Sequence, residues 1–333
     1  MNSDIKNHLI EMEHNTNIKA LKQKYRLAKE VLDKIFYEQI APDFLDNLKP
    51  CNQPEMIFIT GQQASGKSIL SQKAQQCFIE KELQAIAFSR DNLRKYDPGR
   101  EEIFATQKLD YCALTAYNAS YWRDKLIEEA VKRKGNIVFE SVLRNGRLVD
   151  TRNSIMIAKR SGYTIHCWSL AVHENISLYS MFNRYENQIQ ECGEGDVPPN
   201  PQHHDASYTH FPALVVKMIK GGMFDKSIII DREGKEYYSL EKKSRVNNTK
   251  TTDNRLEQSF LLAMQKGRDN FYKNRHWHNN LINDWDVLIK RMEKRCASET
   301  EISMARSIME RCLCDSPLAI STNKQATLLG CLQ

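Results

Sequence analysis

A chain of 333 residues can bury one sizeable core with accessory helices, or two domains. Charged residues at 27% and hydrophobic residues at 41% match a soluble globular protein and exclude a disordered one, and a net charge of +6 without a dense basic, aromatic-interleaved patch argues against nucleic-acid binding. No apolar run is long enough to span a bilayer, no signal core follows the polar start, and the nine cysteines are scattered without any C-x-x-C, so a cytoplasmic protein with reduced thiols and no membrane contact is expected.

Ile18, Leu21, Tyr25, Ala28, Leu32, Ile35, Phe36 and Ile40 fall three or four apart and predict an amphipathic helix over 17–40, with Asn17 able to cap it and Pro42 to stop it. It is either a helix packed on the core or an autoinhibitory or partner-binding one. Ile57, Phe58 and Ile59 read as a buried parallel strand. Gly61-x-x-x-x-Gly66-Lys67-Ser68 then fills every position of the phosphate-loop pattern, and Ile69, Leu70, Ala74, Cys77 and Phe78 continue at helical spacing. Strand, tight loop and helix in that order present backbone N–H groups to a polyphosphate. Residues 61–69 (Gly61, Gln62, Gln63, Ala64, Ser65, Gly66, Lys67, Ser68 and Ile69) are therefore the expected nucleotide site, with Lys67 reaching the β/γ-phosphates and Ser68 holding Mg²⁺.

Further strands are expected at Ala85–Ser89, Asn136–Glu140, Thr164–Ala171 and Ser227–Asp231, with helices between them, the longest from about Thr106 to Lys134 and ended by Gly135. This alternation specifies an α/β fold, a mostly parallel sheet covered by helices on both faces, with ligands at the carboxyl ends of the strands. The prolines and glycines of 193–212 predict a long loop, a candidate lid, and Leu240–Thr252 reads as a linker. Beyond it Leu256–Met264, Leu281–Met292 and Ile302–Cys312 are helical in period, and the last fifteen residues read as loose. The expected division is an N-terminal helical segment (1–50), a P-loop kinase domain (51–240), a linker (241–252) and a C-terminal helical region (253–333).

Asp91 follows the second strand, where a kinase places the base that receives a hydroxyl proton; it could equally cap the short helix after it. Glu140 ends the third strand, where a buried carboxylate needs a ligand, a cation or an ion pair with Arg144 in the next turn. Arg184 lies on the helix entering the expected lid, where it either stabilises a transferring phosphoryl group or is a solvated face residue. His203-His204-Asp205 and His276-Trp277-His278 lack a third metal ligand at usable spacing, and Trp122, Trp168, Trp277 and Trp285 read as core.

In this order and spacing, the stretch from Pro54 to about Tyr238 resembles the zeta toxins, P-loop kinases of toxin–antitoxin systems that phosphorylate UDP-N-acetylglucosamine. The likeness rests on Gly61–Ser68, Asp91-Asn-Leu-Arg94 with Tyr96-Asp-Pro98, Val138-Phe-Glu140-Ser-Val-Leu-Arg144, Gly162-Tyr163, Asn183-Arg184-Tyr185-Glu186 and the closing strand and turn Asp231–Tyr238. It implies that Asp91 deprotonates the sugar 3′-hydroxyl, Lys67 and Arg184 stabilise the γ-phosphoryl group of ATP, Ser68 holds Mg²⁺, and Glu140 and Arg144, with Arg94, bind the sugar nucleotide. It also implies an antitoxin protein as partner, a role the 17–40 helix could play in cis. The chain departs from the pattern at Gln63 and Ala64, where Pro and Gly are usual, and at Ser141 and Val142, where Gly and Thr are usual. It also has no arginine in Glu194–Pro198, ahead of His204-Asp205.

The resulting expectation is a kinase acting on a sugar nucleotide. Its alternatives are a kinase for another small molecule (an antibiotic, a nucleoside or a metabolite) and a nucleotide-holding interaction module that transfers nothing.

Overall fold

The computed structural model describes residues 17–192, 197–241, 250–273 and 275–314. Five strands run parallel: β1 (Glu55–Thr60), β2 (Ala85–Ser89), β3 (Asn136–Ser141), β4 (Thr164–Leu170) and β5 (Lys226–Ile230). A sixth, β6 (Glu236–Glu241), returns antiparallel to β5, and the spatial order is β2-β3-β1-β4-β5-β6. The parallel strands lie where the apolar runs place them, because strands covered on both faces carry few polar residues. β6 is half-exposed, and its weak pattern was readable only as part of the family's closing turn.

Helices α1 (17–24), α2 (Lys29–Ile35) and α3 (Ala41–Leu45) precede the sheet. Then follow α4 (Lys67–Ile79), α5 (Arg90–Leu93), α6 (Arg100–Thr106), α7 (Tyr111–Leu114), α8 (Ala116–Lys132) and α9 (Leu148–Arg160). The rest are α10 (Glu174–Cys192), α11 (Pro201–Lys220), α12 (Lys250–Lys273), α13 (Arg275–Lys294) and α14 (Glu299–Cys314). No helix among the described residues is long and apolar enough to cross a membrane.

Alternate strand residues serve opposite layers. Ile57, Ile59 and Val138 pack with Leu70, Ala74 and Phe78 of α4. Met56, Phe58, Phe88, Ile137 and Phe139 belong to the larger core with α2, α3, α8, α9, α11 and α12. A third cluster joins Leu178, Met181 and Phe182 of α10 to Trp285, Leu288 and Ile308 of α13 and α14.

Four expectations are corrected, three of them about helices. The helix over 17–40 is interrupted, since Ala28 is extended (ψ 153°) and α2 begins after it. Pro42 stops nothing: α2 continues through a π turn at Phe36–Ile40 into α3, and the Ala41 N–H bonds the Phe36 carbonyl. A proline has no N–H and crowds the preceding turn, and the widened turn makes room for it. The long helix from Thr106 is broken at Gln107 (φ −139°) and at Thr115, whose hydroxyl donates to the Tyr111 carbonyl at 2.7 Å.

The long loop is mostly helix. Asn200 caps α11 by accepting the His203 N–H at 2.9 Å, and Pro201 fills the first position, where no N–H is needed. Pro212 lies inside α11, and the Tyr208 carbonyl that its missing N–H would have met accepts from Arg268 at 2.7 Å. Most of the expected linker and the last fifteen residues lie outside the described residues, as do 193–196.

Residues 29–45 are part of the core. Leu32, Phe36 and Ile40 are fully buried, Trp122 donates to the Leu32 carbonyl at 3.0 Å, and Asp33 accepts from Tyr121 at 2.6 Å and from Lys125. Truncating a buried phenylalanine removes its transfer energy and leaves a cavity, so Phe36→Ala is expected to cost about 3–5 kcal/mol. Urea unfolding measures it; a loss under about 1 kcal/mol would mean that the helix is peripheral.

Candidate functional site

β1 runs straight into the phosphate loop. A Cβ at Gly61 would stand 2.7 Å from the Ser65 hydroxyl, so the loop can close only over glycine. Gly66 takes φ +98° at the N-cap of α4, which leaves the first N–H groups of that helix open to a ligand. Ala64, where the resemblance expects glycine, is held at φ +53°, a conformation that costs an alanine about 1 kcal/mol. Ile69 is 56% exposed and offers the loop only its backbone.

The Lys67 ammonium donates to the Gln62 carbonyl at 2.7 Å and lies 3.4 Å from that of Gly61. Burial pulls its pKa down to about 8, against the charges of Glu140 and Asp91, which favour the ammonium; Arg184 and Arg232 disfavour it. All four groups therefore lie within electrostatic reach of Lys67.

Glu140 leaves β3 beside this loop, paired in register with Ile59 of β1 and Ser89 of β2. It is buried and accepts from the Ser68 hydroxyl at 3.4 Å. Burial raises its pKa, opposed by Lys67 and by the hydroxyls of Ser71 and Ser68. No Glu140–Arg144 ion pair forms among the described residues.

Asp91 sits at the end of β2. The helix cap it could have supplied comes from Ser89, whose hydroxyl accepts the Asn92 N–H at 3.2 Å while Asn92 accepts the Ser89 N–H at 2.9 Å. The Asp91 carboxylate is thus left open, with its side chain 76% exposed. Arg94, expected to touch the acceptor, is instead turned inward: it donates to Asp91 at 3.0 Å and to Thr115, and is buried. With one strand between β2 and β1, Asp91 and the loop stand at strand ends about 10 Å apart, a gap that a phosphoryl group and a hydroxyl can fill.

Arg184 is exposed on α10 and has no side-chain partner among the described residues. Its helix is held on either side of it. Buried Glu186 takes Arg295, in the turn after α13, in contacts of 2.5–3.0 Å, and Arg291 of α13 donates to Asn183 at 3.0 Å and to Asn187 at 2.7 Å. Arg144 is likewise without a side-chain partner among the described residues, in the turn after β3. Burial, then the charges of Arg144 and Arg147, lower the pKa of His203, so the start of α11 faces that turn.

Sequence reasoning gave no role to two side chains. Arg232, in the β5–β6 turn, donates to the carbonyls of Ser65 at 3.0 Å and Ala64 at 2.6 Å and to Ser180 at 3.2 Å, bracing the loop from outside. The turn that aims it is wound around Asp231, which accepts from Gly234, Lys235 and Tyr237, and only the resemblance drew attention to it. Beside Arg232 opens a cavity of about 170 Å³ lined by Val172, His173, Ile176, Asp231 and Phe271. The second missed group is the side chain of Gln62, buried and bonded to the Val172 carbonyl at 2.8 Å and to Ser177 at 3.1 Å. Among the described residues no group of three His, Cys, Asp or Glu side chains can hold a metal, and His204 is a fully buried hydrogen-bonded residue.

Residues 43–243 match the family described as Zeta toxin. No curated protein matches in sequence. A structure from the PezAT chromosomal toxin–antitoxin system of Streptococcus pneumoniae, 16% identical, is similar over 73% of this chain and 98% of its own, with a TM-score of 0.57. A structure of the AvrRxo1-ORF1:AvrRxo1-ORF2 complex with ATP, 13% identical, is similar over 75% of this chain and 85% of its own, with a TM-score of 0.36. The first shares the helix-covered, mostly parallel sheet.

An anion at the loop is met by the charged form of Lys67, and that form is lost as pH rises through about 8. Affinity for a non-hydrolysable nucleoside triphosphate is therefore expected to fall above about pH 8 by up to tenfold per pH unit. Calorimetric titration across that range checks it; Lys67→Met is expected to bind more weakly and to lose this pH dependence.

Proposed function

The chain belongs to the zeta toxin family, and from that premise we propose that it is an ATP-dependent kinase transferring the γ-phosphoryl group to a hydroxyl of a sugar nucleotide, with UDP-N-acetylglucosamine as the first candidate. The observation that carries the reading is the half-buried Lys67 ammonium, held by loop carbonyls within electrostatic reach of two carboxylates, Asp91 and Glu140, at the ends of neighbouring strands. A base, a cation and a phosphate cradle on one side of one sheet edge are what in-line phosphoryl transfer needs.

In this reading Asp91 takes the proton of the acceptor hydroxyl as its oxygen bonds to the γ-phosphorus. The bond from that phosphorus to the β–γ bridging oxygen breaks, and ADP leaves. Arg94 holds Asp91 from behind, so the side chain expected to bind the acceptor acts by orienting the base. Lys67 and Arg184 meet the charge that spreads over the transferred group. Glu140 and Arg144 position the sugar nucleotide. The base of ATP enters the cavity beside Arg232 and Val172.

The fit to Mg²⁺ is that of a hydroxyl next to a buried carboxylate, Ser68 and Glu140, with the nucleotide's own oxygens and water completing the shell. The ion would neutralise charge on the β- and γ-phosphates. An antitoxin protein as partner belongs to the same proposal and is supported by the family.

A second reading keeps the chemistry and changes the acceptor. Ser141 and Val142, half-buried beside Glu140, replace the small residue and the hydroxyl expected there, which alters what the acceptor can touch.

Purified protein with Mg²⁺-ATP and a panel of nucleotide sugars, nucleosides and aminoglycosides separates these readings by the phosphorylated product found. UDP-N-acetylglucosamine is expected to be phosphorylated, with Asp91→Asn lowering kcat by about 10²–10⁴. ATP binding without transfer to any acceptor would leave only a nucleotide-holding module.

A further inference from the structure

Gln62 does two things at once. Its main-chain carbonyl accepts the Lys67 ammonium, and its side-chain amide is tied to α10 through Ser177. From Ser177 the bonds continue away from the loop. The Ser177 hydroxyl lies 2.8 Å from His204 Nε2, and His204 Nδ1 lies 3.0 Å from Asp205 Oδ1. Arg311 of α14 grips Asp205 with both nitrogens, at 2.7 and 2.9 Å, and reaches Glu174 at the start of α10 at 2.9 Å.

The proton at the Asp205 end of this chain is fixed by chemistry. A carboxylate held in a bidentate ion pair only accepts, so Asp205 requires the hydrogen on His204 Nδ1. His204 Nε2 is then a bare acceptor facing the Ser177 hydroxyl at the shortest of its three acceptor contacts, the others being the Glu174 carbonyl at 3.0 Å and the His173 carbonyl at 3.2 Å. The Ser177 oxygen is left to accept the Gln62 amide, whose N–H also reaches the Val172 carbonyl at 2.8 Å. The ring is fully buried, and burial holds its pKa below the ordinary value. Facing it are Asp205 from its own helix, Ser177 from α10, Arg311 from α14 and, at longer range, Lys67 from α4, with the Tyr208 ring parallel at 6.2 Å.

We infer that Arg311 is a positioning residue of the phosphate loop: by keeping Asp205 charged and paired it holds His204 neutral with its hydrogen on Nδ1, and so orients Ser177 and Gln62 behind Lys67. The C-terminal helix α14, outside the 43–243 family match, thereby becomes part of the transfer machinery. Without Arg311 the Asp205 anion would face the ring alone and raise its pKa. A protonated ring places a hydrogen on Nε2, which turns the Ser177 hydrogen to the Glu174 or His173 carbonyl and shares the Ser177 oxygen with the Gln62 amide, loosening that hold on the loop.

The inference rests on the kinase reading for its activity test but not for its spectroscopic one. In the full chain, ¹⁵N NMR of the imidazoles is expected to show His204 neutral and protonated at Nδ1, and titrating at higher pH in Arg311→Met than in the unaltered protein. Between about pH 5.5 and 8.5, where imidazoles titrate, kcat of Arg311→Met is expected to fall about tenfold at the acid end and to recover at the alkaline end. Arg311→Lys, which keeps the charge, is expected to restore most of that profile. A His204 hydrogen on Nε2 in the unaltered protein overturns the inference, whether or not the variants fold, and so does an Arg311→Met loss that is uniform with pH. If no acceptor is phosphorylated yet the NMR results hold, the kinase reading fails while the control of the His204 proton by Arg311 stands.

Discussion

An ammonium group enclosed by a loop and given only main-chain carbonyls to bond is the constraint on which this structure turns. Lys67 meets the carbonyls of Gln62 and Gly61, and among the described residues no carboxylate comes within ion-pair distance of it. Burying a charge without a partner is costly, and the lowered pKa of Lys67 expresses that cost. The cheapest remedy is an anion delivered to the open N-terminus of α4, where backbone N–H groups already point.

The rest of the site repeats the same imbalance. Arg144 and Arg184 are without side-chain partners among the described residues, and Arg144 and Arg147 lie close enough to His203 to matter electrostatically. Against them, among the described residues, stand Asp91 and Glu140. Cations gathered around a cleft raise the local concentration of an anionic ligand and penalise a neutral one. The arrangement is kept rigid from outside: Arg232 braces the loop, Arg295 and Arg291 fix the helix of Arg184, and Arg94 orients Asp91. In each case the bracing cation is bonded to the group it holds, while Arg144 and Arg184 have no side-chain partner among the described residues.

Much of the sheet could be read directly. Unbroken apolar runs such as Ile57–Ile59 and Ile137–Phe139 belong only to strands covered on both faces, and the glycine and lysine spacing of the loop reflects local geometry. Several errors came from proline, although the breaks at Ala28, Gln107 and Thr115 have no proline behind them. Pro42, Pro201 and Pro212 suggested breaks, but a π turn, an N-terminal position and the guanidinium of Arg268 accommodate them within helices. What no local pattern shows is contact between distant segments. The inward turn of Arg94 depends on Thr115, the grip on Glu186 on Arg295, and the pairing of Asp205 on Arg311, more than a hundred residues away. The His204-Asp205 pair was visible in the sequence, but without Ser177 and Arg311 beside it nothing distinguished a positioning relay from a surface loop.

The most direct test of the central claim is the titration of the Lys67 ammonium itself, followed by ¹⁵N NMR of its Nζ with and without a non-hydrolysable ATP analogue. The free protein is expected to lose that proton near about pH 8, and the bound analogue to shift the titration upward as its phosphates replace the missing counter-charge. A Lys67 that titrates at the ordinary lysine value and does not respond to the analogue would contradict the phosphate cradle and every role built on it.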